Sequence, residues 1–155
     1  MRCLTLRRHY NMRSDFLNEN SSATFKHKKK IHSINADVTI TNDDSGKVYM
    51  CDSAGGAVAI TLPTASTGED GVYFEFVVWE ETPTADITIG AGSAIISLVQ
   101  KDAGGDAANS TAGTQISNVI LDTTAQRGDY VRLTFWNGEY FAESMSGINN
   151  GIQTS

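Results

Sequence analysis

The stretch that most restricts how this chain can fold is residues 128–144, GDYVRLTFWNGEYFAES. Val131, Leu133 and Phe135 alternate with Tyr130, Arg132, Thr134 and Trp136. A two-residue period marks a strand whose faces meet different surroundings. On a helix the same apolar residues would scatter around the axis. Asn137-Gly138 follows, a pair suited to the two positive φ angles of a type I′ turn, so Tyr140 to Ser144 is expected to return antiparallel.

The same logic extends upstream. Short β-prone runs recur at 36–41, 47–51, 57–62, 72–79, 86–89, 94–100, 116–121, 129–136 and 139–144. Alternation is clean in Val38/Ile40, Val58/Ile60/Leu62 and Val72/Phe74/Phe76/Val78, with turn formers between runs, as in Asp43-Asp44-Ser45-Gly46 and Ser53-Ala54-Gly55-Gly56. Gly90-Ala91-Gly92 reads as a turn between two strands, and Pro63 closes another run because it cannot donate to a ladder. The expectation is an all-β fold: an antiparallel β-sandwich or jelly-roll-like domain of about eight to nine short strands over residues 35–155. Its core should contain Val48, Met50, Ile60, Leu62, Phe74, Phe76, Val78, Ile87, Ile89, Ile95, Val119, Leu121, Val131, Leu133 and Phe135. The loop 101–115 is rich in Gly, Ala, Ser and Thr and is expected to be exposed and to meet a partner.

Charge divides the chain. Residues 1–34 hold eight Lys/Arg against two Asp/Glu, a net of +6, whereas residues 35–155 hold four against sixteen, a net of −12. Residues 1–34 therefore read as a basic N-terminal arm, extended or partly disordered, with Lys26, Lys28, Lys29 and Lys30 as its partner-binding residues. A neighbouring protein surface, including the acidic body of a sister subunit, suits such a cluster; a solvated tail without a partner is the bland alternative. Nucleic acid is disfavoured, because the acidic body would repel a polyanion. No apolar run approaches the roughly 18 residues of a membrane span, and the N-terminus lacks the features of a secretory signal. Cys3 and Cys51 then read as two reduced thiols.

Catalytic chemistry finds little purchase. His9, His27 and His32 all fall in the arm, so residues 35–155 offer no Ser-His-Asp triad and no transition-metal cluster. No phosphate-cradling glycine motif is present, and Asp43, Asp44, Asp102 and Asp106 lack the spacing of a calcium loop. A pair of carboxylates for glycoside hydrolysis remains conceivable, because it requires proximity and no motif. The reading is a non-enzyme with no cofactor, no metal and no catalytic residue. Trp79 and Trp136 lie on strand faces opposite the main apolar rows and, with Arg132, are the candidates for surface or intersubunit contacts.

The frame SGKVYMCD…AVAITLP (45–63), YFEFVV (73–78), DITIG (86–90) and GDYVRLTFWNGEYF (128–141) resembles small β-rich structural proteins of tailed bacteriophages, both head decoration (cement) proteins and modules of tail fibres. The similarity spans about residues 36–146 and leaves the basic N-terminus unmatched. It implies a virion structural protein made in the host cytoplasm. Its subunits would form a homo-oligomer, a trimer, and bridge neighbouring copies of the major capsid protein on the capsid surface. The alternative it implies is a tail-fibre or receptor- and carbohydrate-binding module with a host glycan as ligand.

Overall fold

The computed structural model describes residues 28–64, 69–102, 115–148 and 150–155. They form ten strands: β1 Lys30–Ile34, β2 Val38–Thr39, β3 Lys47–Cys51, β4 Val58–Thr61, β5 Tyr73–Val78, β6 Ile87–Asp102, β7 Gln115–Leu121, β8 Tyr130–Trp136, β9 Glu139–Ser146 and β10 Ile152–Thr154. A 3-10 turn, Asn42–Asp44, is the one helical element among the described residues. No helix there is long and apolar enough to cross a membrane.

The strands make two mixed five-stranded sheets, β1-β3-β5-β8-β9 and β2-β4-β6-β7-β10. Beyond a register shift between Gly90 and Ile95, β6 also pairs in parallel with β9 and so joins the two sheets. The expected all-β sandwich is therefore present. The strand directions differ from the antiparallel expectation, because five of the nine pairings are parallel. The chain crosses from one sheet to the other at each step from β1 to β6, so β1, β3 and β5 accumulate side by side, as do β2, β4 and β6. Parallel neighbours need a crossover connection, and here the strand in the opposite sheet provides it. Only β7, β8, β9 and β10 bring antiparallel partners. Trp136 and Glu139 face each other across Asn137 (φ 50°) and Gly138 (φ 88°), which is the tight turn read from the sequence.

Three local expectations change. Residues Lys30 to Ile34 belong to the sheet, not to the arm, and Ile34 is buried. Gly90-Ala91-Gly92 lies within one continuous strand; a β-carbon on Gly90 would meet Asn118 Oδ1, the end of a side chain that would have to turn aside where β6 pairs with β7. In β3 the inward residues are Tyr49 and Cys51, while Met50 and Val48 face outward; Val48 is buried there, apart from the central core.

The core between the sheets combines Phe74, Phe76, Val78, Val131, Leu133, Phe135 and Tyr140 from one inner face with Val58, Ile60, Ile87, Ile89, Val119, Leu121 and Ile152 from the other. Tyr49 stacks on Phe76 with ring centroids 5.3 Å apart at 14°. Burial, helped by the Asp44 charge, pushes the Tyr49 phenol up to about 12. The connections are tied as tightly as the sheets. Ser53 Oγ donates to Glu80 Oε1 (2.7 Å) and accepts from the Thr84 and Ala85 N–H groups (3.1 and 3.2 Å), locking the β3–β4 loop to the β5–β6 loop. Buried Asp129 accepts from Ser146 Oγ (2.7 Å), Gly147 N (2.7 Å) and Gln126 N (2.9 Å), which pins the end of β9.

Candidate interaction surface

The outer face of the first sheet gathers the residues singled out from the sequence. Cross-strand partners align in rows there. One runs Ile31–Val48–Glu75–Arg132–Glu143, and the next runs Ser33–Met50–Val77–Tyr130–Met145. Tyr73–Thr134–Phe141 and Trp136–Glu139 continue the face toward the β8–β9 turn.

Charge organises the first row. Glu75 accepts from Lys29 Nζ at 2.6 Å and lies 3.4 Å from Arg132 Nε. Burial alone would raise the Glu75 pKa, but the two cations outweigh it and hold the carboxylate below its ordinary value. Arg132 is raised in turn, first by its hydrogen bond to Glu75, and its guanidinium lies over the Tyr130 ring at 4.7 Å. A second cation–π contact fixes Trp79: Arg127 stacks over the indole at 5.6 Å while its Nε donates to the Trp79 carbonyl at 2.8 Å.

Apolar exposure concentrates on the same face. Ile31, Tyr73, Trp79, Trp136 and Met145 account for five of the six large hydrophobic side chains exposed among the described residues, with Ile31 66% and Trp136 59% accessible. Exposed singly such residues are ordinary; five of them on one sheet face make that face the candidate interaction surface. The two tryptophans stand at opposite ends of the sheet. Trp79 follows Val78, whereas Trp136 lies beside Gly71, whose N–H donates to the Phe135 carbonyl. Eight residues of strand separate these levels, about 26 Å. The outward placement read for both tryptophans and Arg132 therefore holds, but no single small ligand can touch both indoles.

Lys28, Lys29 and Lys30 lie along the margin of this sheet and line a groove of about 300 Å³ with Ser45, Gly46 and Tyr73. Lys26, Cys3 and residues 103–114 of the expected partner loop lie outside the described residues. Sequence reasoning missed Ile31 and His32, because the lysines before them disguised a strand as tail. His32 belongs to β1, with its ring 6.0 Å from that of Tyr49. Tyr73 and Met145 were overlooked as surface residues, although the two-residue period already assigned them to the outward rows.

Cys51 is fully buried, and burial pushes its thiol up to about 12, so it is no ready nucleophile. Asp44 directs its carboxylate at Lys47 and at the Thr41 N–H (2.9 Å) and hydroxyl (3.0 Å), an arrangement that closes the 3-10 turn. Among the described residues no three His, Cys, Asp or Glu side chains are grouped so as to hold a metal ion. No family model matches this chain, and no curated protein matches it.

Proposed function

We propose that this protein is a non-catalytic structural subunit of a virion, a capsid decoration protein that docks through the outer face of its first sheet and bridges neighbouring capsid subunits. The supporting observation is the gathering of Ile31, Tyr73, Trp79, Trp136 and Met145 on that one face, bordered by Lys28, Lys29 and Lys30. Aromatic residues, Met and Arg are the side chains enriched at protein–protein interfaces, and this face carries them around the Glu75–Arg132 ion pair. In this role, stability comes from many modest contacts made at once: copies that associate with each other, as a trimer on the sequence resemblance, bind a lattice multivalently.

The test is copy number and occupancy. Quantitative mass spectrometry of purified particles should find hundreds of copies, and reversing the charge of Lys28, Lys29 and Lys30 together should lower occupancy on heads stripped of the protein. A handful of copies per particle would point to the tail-fibre reading. In that reading the exposed Trp136 beside its tight turn is the natural glycan platform, and Trp136→Ala should abolish a reproducible glycan-array signal.

A further inference from the structure

The first sheet ends at β1, which pairs with β3 and with no other strand among the described residues. The Ile34 carbonyl accepts from the Asp52 N–H at 2.8 Å, so the backbone groups of Ile34 point toward β3. In a strand both backbone groups of a residue point to the same side and successive residues alternate sides. Ile31 and Ser33 therefore direct their N–H and C=O outward, away from β3. Such an edge is a template for another strand.

Two grooves lie against this same short segment. One, of about 490 Å³, is walled by Ile31, His32, Ser33, Met50 and Trp79 and is mainly apolar. The other, about 300 Å³, is the one bordered by Lys28, Lys29 and Lys30. The two sets of residues are consecutive, so the groove centres are about three residues, or about 10 Å, apart along the strand. Within the cationic groove Lys29 is committed to Glu75, while Lys28 and Lys30 make no ion pair among the described residues.

The geometry points to β1 as a docking edge for an extended, acidic segment of a partner protein. That segment would add to the sheet as a strand, lay an apolar side chain into the groove at Ile31, Met50 and Trp79, and present a carboxylate to Lys28 and Lys30. Backbone pairing would supply affinity, and the two grooves, one apolar and one cationic, would select the sequence. A nucleic acid strand matches the lysines alone: it carries no aliphatic side chain for the apolar groove, and the −12 of residues 35–155 repels it. This inference deepens the docking role proposed above by naming the chemistry of the partner's segment.

The test uses the full chain and a synthetic acetylated octapeptide of alternating glutamate and valine, followed by two-dimensional NMR. The expected result is a set of shifts confined to the Lys28–Ile34 amides, the residues facing them and the Trp79 indole. Exchange of the Ile31 and Ser33 amides should slow at least tenfold at saturation. Lys28→Glu with Lys30→Glu should weaken binding at least tenfold. Ser33→Pro leaves the fold intact, because the N–H it deletes faces away from β3, yet it should weaken the peptide by about the same factor. Equal affinity for the matching lysine–valine peptide, unaltered binding by Ser33→Pro, preference for a single-stranded oligonucleotide, or no shift at millimolar peptide would each overturn the inference. So would edge amides already protected before peptide is added, which would mean that residues 1–27 or a second copy hold the edge. Low copy number on particles would sink the decoration role and leave this site standing, so the two failures are distinguishable.

Discussion

Strand β3, KVYMC, gives the sharpest test of the architecture, because it has apolar residues on both faces and only tertiary pairing decides which face is inside. Tyr49 is 5% exposed and stacked on Phe76, whereas its neighbour Met50 is half-buried in an open outer groove. Tyr49→Ala removes a large aromatic side chain from between two sheets and leaves a closed cavity, a loss of about 3–5 kcal/mol. Met50→Ala removes atoms that border solvent, where no closed cavity forms, and should cost about 1 kcal/mol or less. In urea, with a slope of about 2 kcal/mol/M, Tyr49→Ala should lower the midpoint by about 1–2 M more than Met50→Ala. Equilibrium unfolding followed by circular dichroism and fluorescence reads the difference directly. If Tyr49→Ala is too unstable to measure, Tyr49→Leu against Met50→Leu ranks the same way. A larger loss from the Met50 variant would refute the reasoning, because it would exchange the inner and outer faces of β3 and with them the parallel β1-β3-β5 register.

Other outcomes follow from individual contacts. Tyr49 and Tyr140 are both pushed up to about 12, chiefly by burial and secondarily by the Asp44 and Glu69 charges. Their neutral forms therefore stabilise the fold fully below pH 10, and that contribution is lost as pH rises through 12; Tyr→Phe at either site should remove one phenol from the late step of a spectrophotometric titration. Asp44 behaves oppositely: its hydrogen bond to Lys47 and those from Thr41 lower it to about 2, so its stabilisation is present above about pH 4 and is lost as pH falls toward 2. Solvent screening limits that share to about 0.5–1 kcal/mol, and Asp44→Asn should flatten the acid limb of stability against pH by this amount. Ser53→Ala should cost about 1–3 kcal/mol in urea unfolding, because it strands the Thr84 and Ala85 N–H groups and one Glu80 contact in a buried loop junction.

The candidate surface was partly legible in the sequence. Lysines at 28–30, and tryptophans on the polar side of amphipathic strands, are local facts, and local facts survive folding. Their assembly was not legible. The alignment of Ile31, Val48, Glu75, Arg132 and Glu143 joins residues as many as 112 positions apart, and it depends on registers that no short stretch encodes. The distance between the two tryptophans, which removes a shared ligand, is likewise a property of the sheet.

Amphipathic strands with one apolar face, as in β4, β5 and β8, and the Asn137-Gly138 turn were settled by sequence alone, because side-chain alternation and positive φ are properties of a few adjacent residues. Tertiary structure decided the rest. It drew Lys30 to Ile34 out of a basic tail into an edge strand, carried β6 through a glycine pair that reads as a turn, and turned Val48 and Met50 outward. It also laid β1, β3 and β5 parallel by sending each connection through the opposite sheet. The physical reason is common to all four: where both faces of a strand are apolar, or where lysine and glycine hide its period, the local pattern is degenerate. The choice then falls to burial against strands distant in sequence.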